Sequence, residues 1–268
     1  MRIIRFLDGN GQIRFGHDHH CGEATLLEGE SFASLKDSGL RLEVAKLLAP
    51  IDPVAILCIG LNYREHARET KIEPPRYPVL FMKNPAALNH PGDPILLPDS
   101  CLNPLQVDFE IELAVIIGKA AKNVPAAEAL SYVQGYTIGN DVSARLWQKH
   151  GGGGQWVRSK SFDTFCPLGP EMVTTDLIPD PQQLRLQCFL NGAVMQDATT
   201  ADMVFTVAEL IEYLSRDMTL LPGTVIMTGT PSGVGFARNP PVYLKPGDSL
   251  ELRIDNIGVL RNPVIKAG

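Results

Sequence analysis

Residues 108–115, DFEIELAV, carry an acidic side chain at every second position. If the segment is a strand, Asp108, Glu110 and Glu112 share one face, because successive side chains alternate between the two faces. Residues 114–118, AVIIG, continue the segment and are apolar enough for both faces to be buried. Buried like charges repel unless a cation lies between them or one keeps its proton. The pair Glu110 and Glu112 therefore predicts a site for Mg²⁺ or Mn²⁺, although a solvated edge strand would show the same spacing.

A third acid, Asp141, lies in YTIGNDVSAR at the C-terminal end of an apolar, strand-like run. Ligand-binding side chains are often presented where regular elements end. Asp141 is accordingly a third candidate ligand for the cation. An Asx turn or the cap of a following helix is the structural alternative, because aspartate serves both purposes.

The segment GLNYREHARET at 60–70 predicts a short helix on which His66 and Glu69 share a face. A carboxylate beside an imidazole fixes which ring nitrogen carries the proton, as a general base requires. The alternative is an exposed helix with an ordinary acid–base pair. The proline-rich segment 71–78 that follows favours a mobile lid.

Lys160 lies between Trp156 and Phe162, ahead of an apolar run that contains prolines. A lysine in such surroundings can stabilise the negative charge of a developing enolate. The alternative is a surface lysine whose stem covers apolar neighbours.

Two further motifs predict no chemistry of their own. TGTPSGVG at 228–235 has glycines that let the backbone approach a ligand, but it matches neither a phosphate-binding loop nor a serine hydrolase elbow. HDHHC at 17–21 follows a predicted hairpin and has no second cluster of ligands, so an exposed turn is favoured over a metal site.

The N-terminal region reads as a separate unit. DGNG at 8–11 predicts a β-hairpin, and residues 31–48 predict a helix. The apolar stripe of that helix consists of Leu35, Leu42, Leu47 and Leu48. The prolines of the following APIDP end any helix. We expect a small β-rich unit at 1–50 and a main domain at 51–268.

The main domain is predicted to contain more strands than helices. Strands are predicted at 54–60, 79–82, 107–118, 132–142, 184–190, 224–228 and 250–254. Helices are predicted at 62–70, 125–131 and 206–216. Because strands and helices do not alternate regularly, a β-rich α+β fold is favoured over Rossmann or TIM-barrel architectures.

Composition limits the class of protein. A chain of 268 residues, 44% of them hydrophobic, can bury a large core. Its net charge of −6 and its lack of a basic run argue against a nucleic-acid partner, and its apolar runs are too short for a membrane span. Five cysteines without a C-x-x-C pair fit a reducing compartment, and the first ten residues lack the apolar core of a signal peptide. We expect a cytoplasmic protein.

Five motifs, taken in order, resemble the fumarylacetoacetate hydrolase family. They are G-x-N-Y-x-x-H-x-x-E at 60–69, D-F-E-x-E-L at 108–113, N-D-V-S-A-R-x-x-Q at 140–148, K-S-F-D-T-F-C-P-L-G-P at 160–170 and T-G-T-P-x-G-V-G at 228–235. The resemblance is to the single-domain branch of acylpyruvate hydrolases, oxaloacetate decarboxylases or tautomerases, and hydroxymuconate-type isomerases. PPVYLKPGD at 240–248 is similar to the subgroup of domain-containing protein 2.

The resemblance implies a mixed β-sandwich or β-roll of the fumarylacetoacetase C-terminal-domain type at 51–268. It also implies a homodimer and one Mg²⁺ or Mn²⁺ per chain. Carried over by motif, the metal ligands are Glu110, Glu112 and Asp141, with Asp108 outside the coordination sphere.

The same motifs imply the remaining roles. His66 and Glu69 form the catalytic dyad of a lid, and Lys160 is the catalytic cation near the substrate. Gln148 and Thr230 contact substrate oxygens. Many relatives have Asp at position 146, Thr at 157 and Gly at 159, where this chain has Leu146, Val157 and Ser159. These departures bear on the substrate and the reaction.

Together these residues imply an enzyme that acts on 2-oxo acids of the β-diketo type through an enolate. Hydrolysis of a C–C bond in an acylpyruvate-type substrate, or decarboxylation of an oxaloacetate-like one, is the first expectation. An isomerase or tautomerase is the alternative, because all three reactions share the enolate. The alternative of another class is a family member that binds metal and ligand without turnover.

Overall fold

The computed structural model describes residues 1–29 and 32–268, which form nineteen strands and four α-helices. The strands are β1 Arg2–Leu7, β2 Ile13–His20, β3 Glu23–Glu28, β4 Lys36–Glu43, β5 Lys46–Leu48, β6 Ala55–Gly60, β7 Val79–Lys83, β8 Leu88–Asn89, β9 Ile95–Leu97, β10 Val107–Asp108, β11 Ile111–Ile117, β12 Val133–Asn140, β13 Ser143–Ala144, β14 Cys166–Thr174, β15 Arg185–Leu190, β16 Ala193–Thr199, β17 Thr224–Met227, β18 Ser249–Ile254 and β19 Gly258–Lys266.

The helices are short and lie between the strands. They are α1 Arg64–Thr70, α2 Ala126–Ala129, α3 Val157–Lys160 and α4 Val207–Ser215. A π-helical turn covers Trp147–Gly151. Single 3-10 turns cover Phe32–Ser34, Pro85–Ala87, Asp99–Cys101, Leu130–Tyr132, Thr200–Asp202 and Gly235–Ala237. No helix in the described ranges is long and apolar enough to span a membrane.

The strands form one large mixed sheet, one smaller sheet and a two-stranded pair. The large sheet has the order β4-β3-β2-β1-β14-β12-β11-β17-β6-β7, with β5 paired to β1 and β8 to β14. The smaller sheet has the order β16-β15-β18-β19-β9, and β10 pairs with β13. Most neighbours are antiparallel, whereas β17 and β6 are parallel. The predicted β-rich α+β fold is confirmed.

Strand β11 explains how an acidic sequence enters the core. All seven of its residues are buried, and it lies between β12 and β17. Leu113 and Val115 on one face join the larger apolar cluster, while Ala114 and Ile116 on the other face join a second cluster. Glu112 shares the face of Ala114 and lies near the N-terminal end of the strand, where that apolar cluster gives way to polar groups.

The N-terminal region differs partly from its prediction. The β1–β2 hairpin is confirmed. The helix predicted for 31–48 is wrong: residue 31 lies outside the described ranges, and the rest of the segment forms a 3-10 turn followed by β4 and β5. Pairing with β3 and β1 satisfies the backbone of these strands, and Gly39 has a φ of +74°, which interrupts any helix.

The N-terminal strands continue the large sheet, because β1 pairs with β14 as well as with β2 and β5. The boundary at residue 50 stays a prediction. The histidines of HDHHC occupy the end of β2, and the segment from His17 to Cys21 is largely exposed. All five cysteines are unpaired, and four of them are buried.

In the main domain, every predicted strand and helix has a counterpart. The strand predicted at 107–118 is split into β10 and β11, because β10 turns away to pair with β13. The longest strands that the sequence did not predict are β14, β16 and β19. Pro167 and Pro170 within β14, and Pro263 within β19, remove backbone donors and hide the strand pattern.

Candidate active site

One cavity collects nearly all of the predicted site residues. It has a volume of about 410 Å³ and is bordered by the ends of β6, β11 and β12, by helix α1 and by the segment that contains the π-helical turn. The predicted residues that line it are His66, Glu110, Glu112, Asp141, Gln148, Lys160 and Thr230. Glu69 does not line the cavity but lies behind His66. The tertiary structure thus brings together residues that are up to 164 positions apart in the chain.

The three predicted metal ligands form a compact carboxylate group. Glu110, Glu112 and Asp141 are all buried, and each offers an oxygen within 4.8 Å of the others. Backbone pairing creates this geometry, because β11 and β12 are antiparallel with Ile111 opposite Asn140. The Asp141 N–H donates to the Glu110 carbonyl at 2.9 Å. In the described ranges this is the one group of three or more acidic, histidine or cysteine ligands so close together.

Two of the carboxylates are paired with a buried lysine. Lys160, with 2% exposure, places Nζ 2.8 Å from Glu110 Oε2 and 2.7 Å from Asp141 Oδ2. Burial alone would raise the pKa of Glu110, but Lys160 and Arg145 hold that pKa below its usual range. Burial alone would lower the pKa of Lys160, but Asp141 and Glu110 raise it. The alternative of a surface lysine is therefore wrong for Lys160.

Glu112 differs from the other two carboxylates. Its only polar contact in the described ranges is with the backbone, since the Gly229 N–H donates to Oε2 at 2.8 Å. Burial, reinforced by Asp141 and Glu110, raises the pKa of Glu112 well above its usual range. Lys160 acts in the opposite direction, but no cationic side chain in the described ranges forms an ion pair with Glu112. A fully buried carboxylate without an ion-pair partner fits a site that receives a cation from solution.

A second buried lysine, Lys83 at the end of β7, was not predicted as a site residue. Its ammonium donates to Asp141 Oδ1 and, at 3.2 Å, to the Val142 carbonyl. Its neighbour on the same strand face, Phe81, lines the cavity. The alternation in VLFMK places Phe81 and Lys83 on the same strand face and could have indicated that Lys83 is buried. It does not identify Asp141 as the partner of the lysine.

Lys83→Met should lower the free energy of unfolding by about 3 kcal/mol, since removing one partner of a buried ion pair leaves the other poorly compensated. Chemical denaturation of both proteins would measure the change. Lys266→Met is a matched control, because Lys266 forms an exposed pair with Asp99 at 3.1 Å and should have almost no effect. An unchanged denaturation midpoint for Lys83→Met would contradict the importance of the buried pair.

Arg145 is the most prominent residue that the sequence analysis did not assign. It is 3% exposed, lines the cavity, and donates from Nε to Asp108 Oδ2 at 2.9 Å. Its Nη2 is 2.6 Å from Glu110 Oε1 but makes no hydrogen bond of acceptable angle. The Phe236 ring centroid lies 4.3 Å from the guanidinium carbon. Arg145 stands inside the motif at 140–148, which was the signal that could have found it.

Asp108 is a structural anchor beside the carboxylate group. One of its oxygens accepts from the Phe109 and Gly235 N–H groups, and the other accepts from the Phe236 N–H and from Arg145. These contacts fix the guanidinium and the turn that carries Phe236. Asp108 is not among the three clustered carboxylates. Its place outside the coordination sphere stays a prediction.

Helix α1 holds His66 against the cavity. His66 Nδ1 lies 3.2 Å from Glu69 Oε2, and the Gly233 N–H donates to both oxygens of Glu69 at 2.9 and 3.1 Å. Since the carboxylate can only accept, Nδ1 carries the proton and Nε2 remains the basic nitrogen. Gly233 has a φ of +99°, and a Cβ there would lie 2.2 Å from the Met195 carbonyl oxygen, so this anchor requires glycine.

The two residues expected to contact substrate oxygens have different surroundings. Gln148 accepts from Arg145 Nη1 at 3.1 Å through its amide oxygen. The Thr230 hydroxyl donates to the Ile111 carbonyl at 2.9 Å and accepts from Gln196 Nε2 at 2.8 Å. Gln148 therefore keeps its amide nitrogen for a ligand, whereas the Thr230 hydroxyl is already held by the protein.

The three positions that depart from the family pattern lie outside the cavity wall. Leu146 and Val157 are exposed, at 38% and 41%. Ser159 is fully buried and donates to the Trp156 carbonyl at 2.6 Å. Through that bond Ser159 supports Trp156, whose ring lines the cavity and contacts Phe81 edge-on.

The chain is similar over most of its length to a known protein family. The family described as fumarylacetoacetate (FAA) hydrolase C-terminal matches residues 55–265. A fumarylacetoacetate hydrolase domain-containing protein 2 homolog of Dictyostelium discoideum is 45% identical over 86% of this chain and 78% of its own length. A mitochondrial oxaloacetate tautomerase of Bos taurus is 44% identical over 91% of this chain and 77% of its own length.

Solved structures show the same fold. A 2-hydroxyhepta-2,4-diene-1,7-dioate isomerase from Mycobacterium marinum is 39% identical, with a TM-score of 0.85 over 100% of this chain and 99% of that one. A 5-carboxymethyl-2-hydroxymuconate delta-isomerase from Mycobacterium smegmatis is 38% identical, with a TM-score of 0.86 over the whole of both chains. The expected fumarylacetoacetase-type fold is confirmed. The protein whose carboxylates, lysine and histidine dyad meet in this cavity belongs to the fumarylacetoacetate hydrolase family.

Proposed function

We propose that this protein is a divalent-cation-dependent enzyme that interconverts the keto and enol forms of a 2-oxo acid. The observation that carries the proposal is the single cavity in which three clustered carboxylates, two buried cations and a histidine dyad meet. Keto–enol interconversion needs a proton to be moved and an oxyanion to be stabilised, and these residues supply both capacities. Relatives named as an oxaloacetate tautomerase and as isomerases support this reaction class.

The carboxylate group fits a hard divalent cation. Glu110, Glu112 and Asp141 would hold it, because Mg²⁺ and Mn²⁺ prefer carboxylate oxygens and retain positions for other oxygen ligands. When bound, such a cation supplies a Lewis acid that polarises the 2-oxo group. Glu112 has no ion-pair partner, so the positive charge of the cation would stabilise this carboxylate more than the other two.

Arg145 and Lys160 are the groups we assign to the substrate's negative charge. The Arg145 guanidinium and the Lys160 ammonium both lie beside Glu110 and line the cavity. A 2-oxo acid that approaches the three clustered carboxylates would therefore contact both cations. Lys160 stabilises the oxyanion that develops as the enolate forms. Arg145 binds the substrate carboxylate, and Gln148 donates its amide N–H to a substrate oxygen. We assign Thr230 the positioning of the loop at 228–235, since its hydroxyl is held by Ile111 and Gln196.

His66 is assigned the proton transfer. Its Nε2 removes a proton from the carbon next to the 2-oxo group. The electron pair of the broken C–H bond forms a C=C bond as the π pair of the C=O bond moves onto the 2-oxo oxygen. The protonated His66 then returns the proton to that oxygen, which gives the enol, and the reverse sequence returns the ketone. Glu69 holds the tautomer, and its contact with Gly233 joins helix α1 to the loop at 228–235.

Hydrolysis of a C–C bond and decarboxylation remain separate outcomes for the same residues. They are the first expectation from the sequence, whereas the names of the relatives favour tautomerisation. The deciding measurement is the ultraviolet absorbance of enol oxaloacetate, followed with protein and Mg²⁺ and again after chelation, with products identified by NMR.

We expect the enol signal to decay faster with protein and Mg²⁺, with no excess pyruvate. Excess pyruvate would establish a decarboxylase, and cleavage of acetylpyruvate into acetate and pyruvate would establish a hydrolase. No acceleration with oxaloacetate, acetylpyruvate or fumarylpyruvate would favour the family member that binds without turnover.

Two further expectations stay proposals. A homodimer is testable by sedimentation equilibrium of the full chain. Cytoplasmic localisation is testable by fractionation, and the bovine relative is described as mitochondrial.

A further inference from the structure

Lys149 lies at the cavity in a setting unlike that of the other cations. It lines the same cavity as the carboxylate group, but it is exposed. Its Nζ lies 5.7 Å from the Phe236 ring centroid, while the guanidinium of Arg145 lies 4.3 Å from the same ring. Phe236 therefore contacts both a buried cation, which faces Glu110, and an exposed one.

Local structure directs Lys149 to this position. In the π-helical turn Trp147–Gly151 the backbone hydrogen bond spans one residue more than in an α-helix, and both Gln148 and Lys149 reach the cavity. Gly153 and Gly154 have φ values of +59° and +83°, which reverse the chain so that Trp156 also reaches it. The segment thus places an amide, an ammonium and an indole on one side of the cavity.

Lys149 is the one cation lining the cavity that has no acidic partner in the described part of the chain. Lys160 is paired with Glu110 and Asp141, and Arg145 is paired with Asp108. An ammonium without a carboxylate beside it is available to a ligand.

The buried charges of the site cannot hold a second anionic group. They comprise four carboxylates and three cations: Asp108, Glu110, Glu112, Asp141, Lys83, Arg145 and Lys160. A divalent cation would leave at most one positive charge in excess, since Glu69 adds a further carboxylate behind His66. One substrate carboxylate neutralises that excess, and a second needs a cation elsewhere.

We propose that Lys149 binds a second, distal carboxylate, so that the enzyme prefers 2-oxo dicarboxylates to 2-oxo monocarboxylates. This rests on the proposed function, because the first carboxylate and the 2-oxo group must occupy the closed end of the cavity. Lys149 is then a specificity-determining residue, and turnover of a monocarboxylate does not depend on it.

The test uses ligand pairs that differ only in a terminal group. 2-Oxoglutarate and 2-oxovalerate share a five-carbon chain that ends in carboxylate or methyl, and 2-oxoadipate and 2-oxohexanoate form the six-carbon pair. Calorimetric titration of the Mg²⁺-loaded protein would give each Kd. We expect the wild type to bind the dicarboxylate of at least one pair about fivefold more tightly, as an exposed ion pair allows.

Lys149→Met should abolish that preference by weakening only the dicarboxylate, and Lys149→Glu should reverse it. Lys119→Met is the matched control, because Lys119 is also exposed and lies 5.3 Å from the ring centroid of Tyr132, outside the cavity. The wild-type preference should also fall as salt is added.

The outcomes separate this inference from the proposed function. If all four ligands bind but the wild type shows no preference in either pair, or if Lys149→Met keeps it, Lys149 is an ordinary surface lysine and the inference is wrong. If no 2-oxo acid binds in the presence of Mg²⁺, the proposed function and the inference both fail.

Discussion

Glu112→Gln should weaken Mg²⁺ binding by about 100-fold or more and leave the chain folded. The amide keeps the shape of the side chain and an oxygen that can accept from the Gly229 N–H, but it lacks the charge that the cation needs. No cationic side chain in the described ranges pairs with Glu112, so the change leaves no buried lysine or arginine without its partner. We therefore expect a thermal midpoint equal to or above that of the wild type.

The pH dependence of cation binding gives a second readout. Burial, Asp141 and Glu110 raise the pKa of Glu112, so its folded form keeps a proton above the usual carboxyl range. A cation must displace that proton, and wild-type affinity should rise with pH through the raised pKa. The stability that Glu112 contributes to the cation-free protein is full below its unfolded pKa and is lost as pH rises through its folded pKa.

Calorimetric titration with Mg²⁺ at several pH values, in buffers of different protonation enthalpy, would measure both affinity and proton release. Glu112→Gln should lose its share of the released protons. Glu128→Gln is the matched control, because Glu128 is an exposed glutamate on helix α2. Unchanged Mg²⁺ affinity in Glu112→Gln would remove this residue from the proposed cation site.

Asp141 is a less informative test of the same site. Its carboxylate contacts both Lys83 and Lys160, so its removal also leaves two buried ammonium groups poorly compensated. We therefore expect Asp141→Ala to lose stability as well as Mg²⁺ affinity, whereas Glu112→Gln should lose affinity alone.

His66→Ala should lower kcat by about 10²- to 10⁴-fold, the range for loss of a general acid–base group. His66 lines the cavity with Nδ1 held by Glu69, and it is not one of the clustered carboxylate ligands. Mg²⁺ affinity and the Kd of a 2-oxo acid should therefore stay close to wild type. Stopped-flow measurement of enol absorbance, with calorimetry on the same samples, would separate turnover from binding.

Two variants sharpen this test. Glu69→Gln keeps an oxygen for the Gly233 N–H but loses the charge that holds the His66 tautomer, so we expect a smaller drop in kcat. His150→Ala is the control, because His150 is exposed and outside the cavity. Near-normal turnover in His66→Ala would show that His66 is not the general base and that His66 and Glu69 form an ordinary acid–base pair on a helix.

Much of the main domain could be predicted because its signals are local. Strands β6 and β11 are apolar runs interrupted only by Glu112 in β11, and DGNG defines the first hairpin within a few residues. The helix predicted at 31–48 failed because its leucine spacing also suits strands, and the choice was made by pairing with β3 and β1. Strand pairing depends on segments that are distant in the sequence, so the local pattern of residues does not predict it.

The sequence alone identified five of the side chains that the site contains. The spacing of Glu110 and Glu112 within an apolar run placed two acids in the core, because alternation and burial are local properties of a strand. The motif order supplied Asp141, His66 and Lys160, and all five line the cavity. Their catalytic and metal-binding roles stay predictions.

Only the tertiary structure decided which charges are neutralised. Lys83 and Lys160 approach Asp141 from different parts of the chain, and Arg145 is shared by Asp108 and Glu110. In the described ranges neither Glu112 nor Lys149 forms an ion pair. Electrostatic energy depends on distances of a few ångströms and on burial, and these are fixed by the packing of strands far apart in sequence.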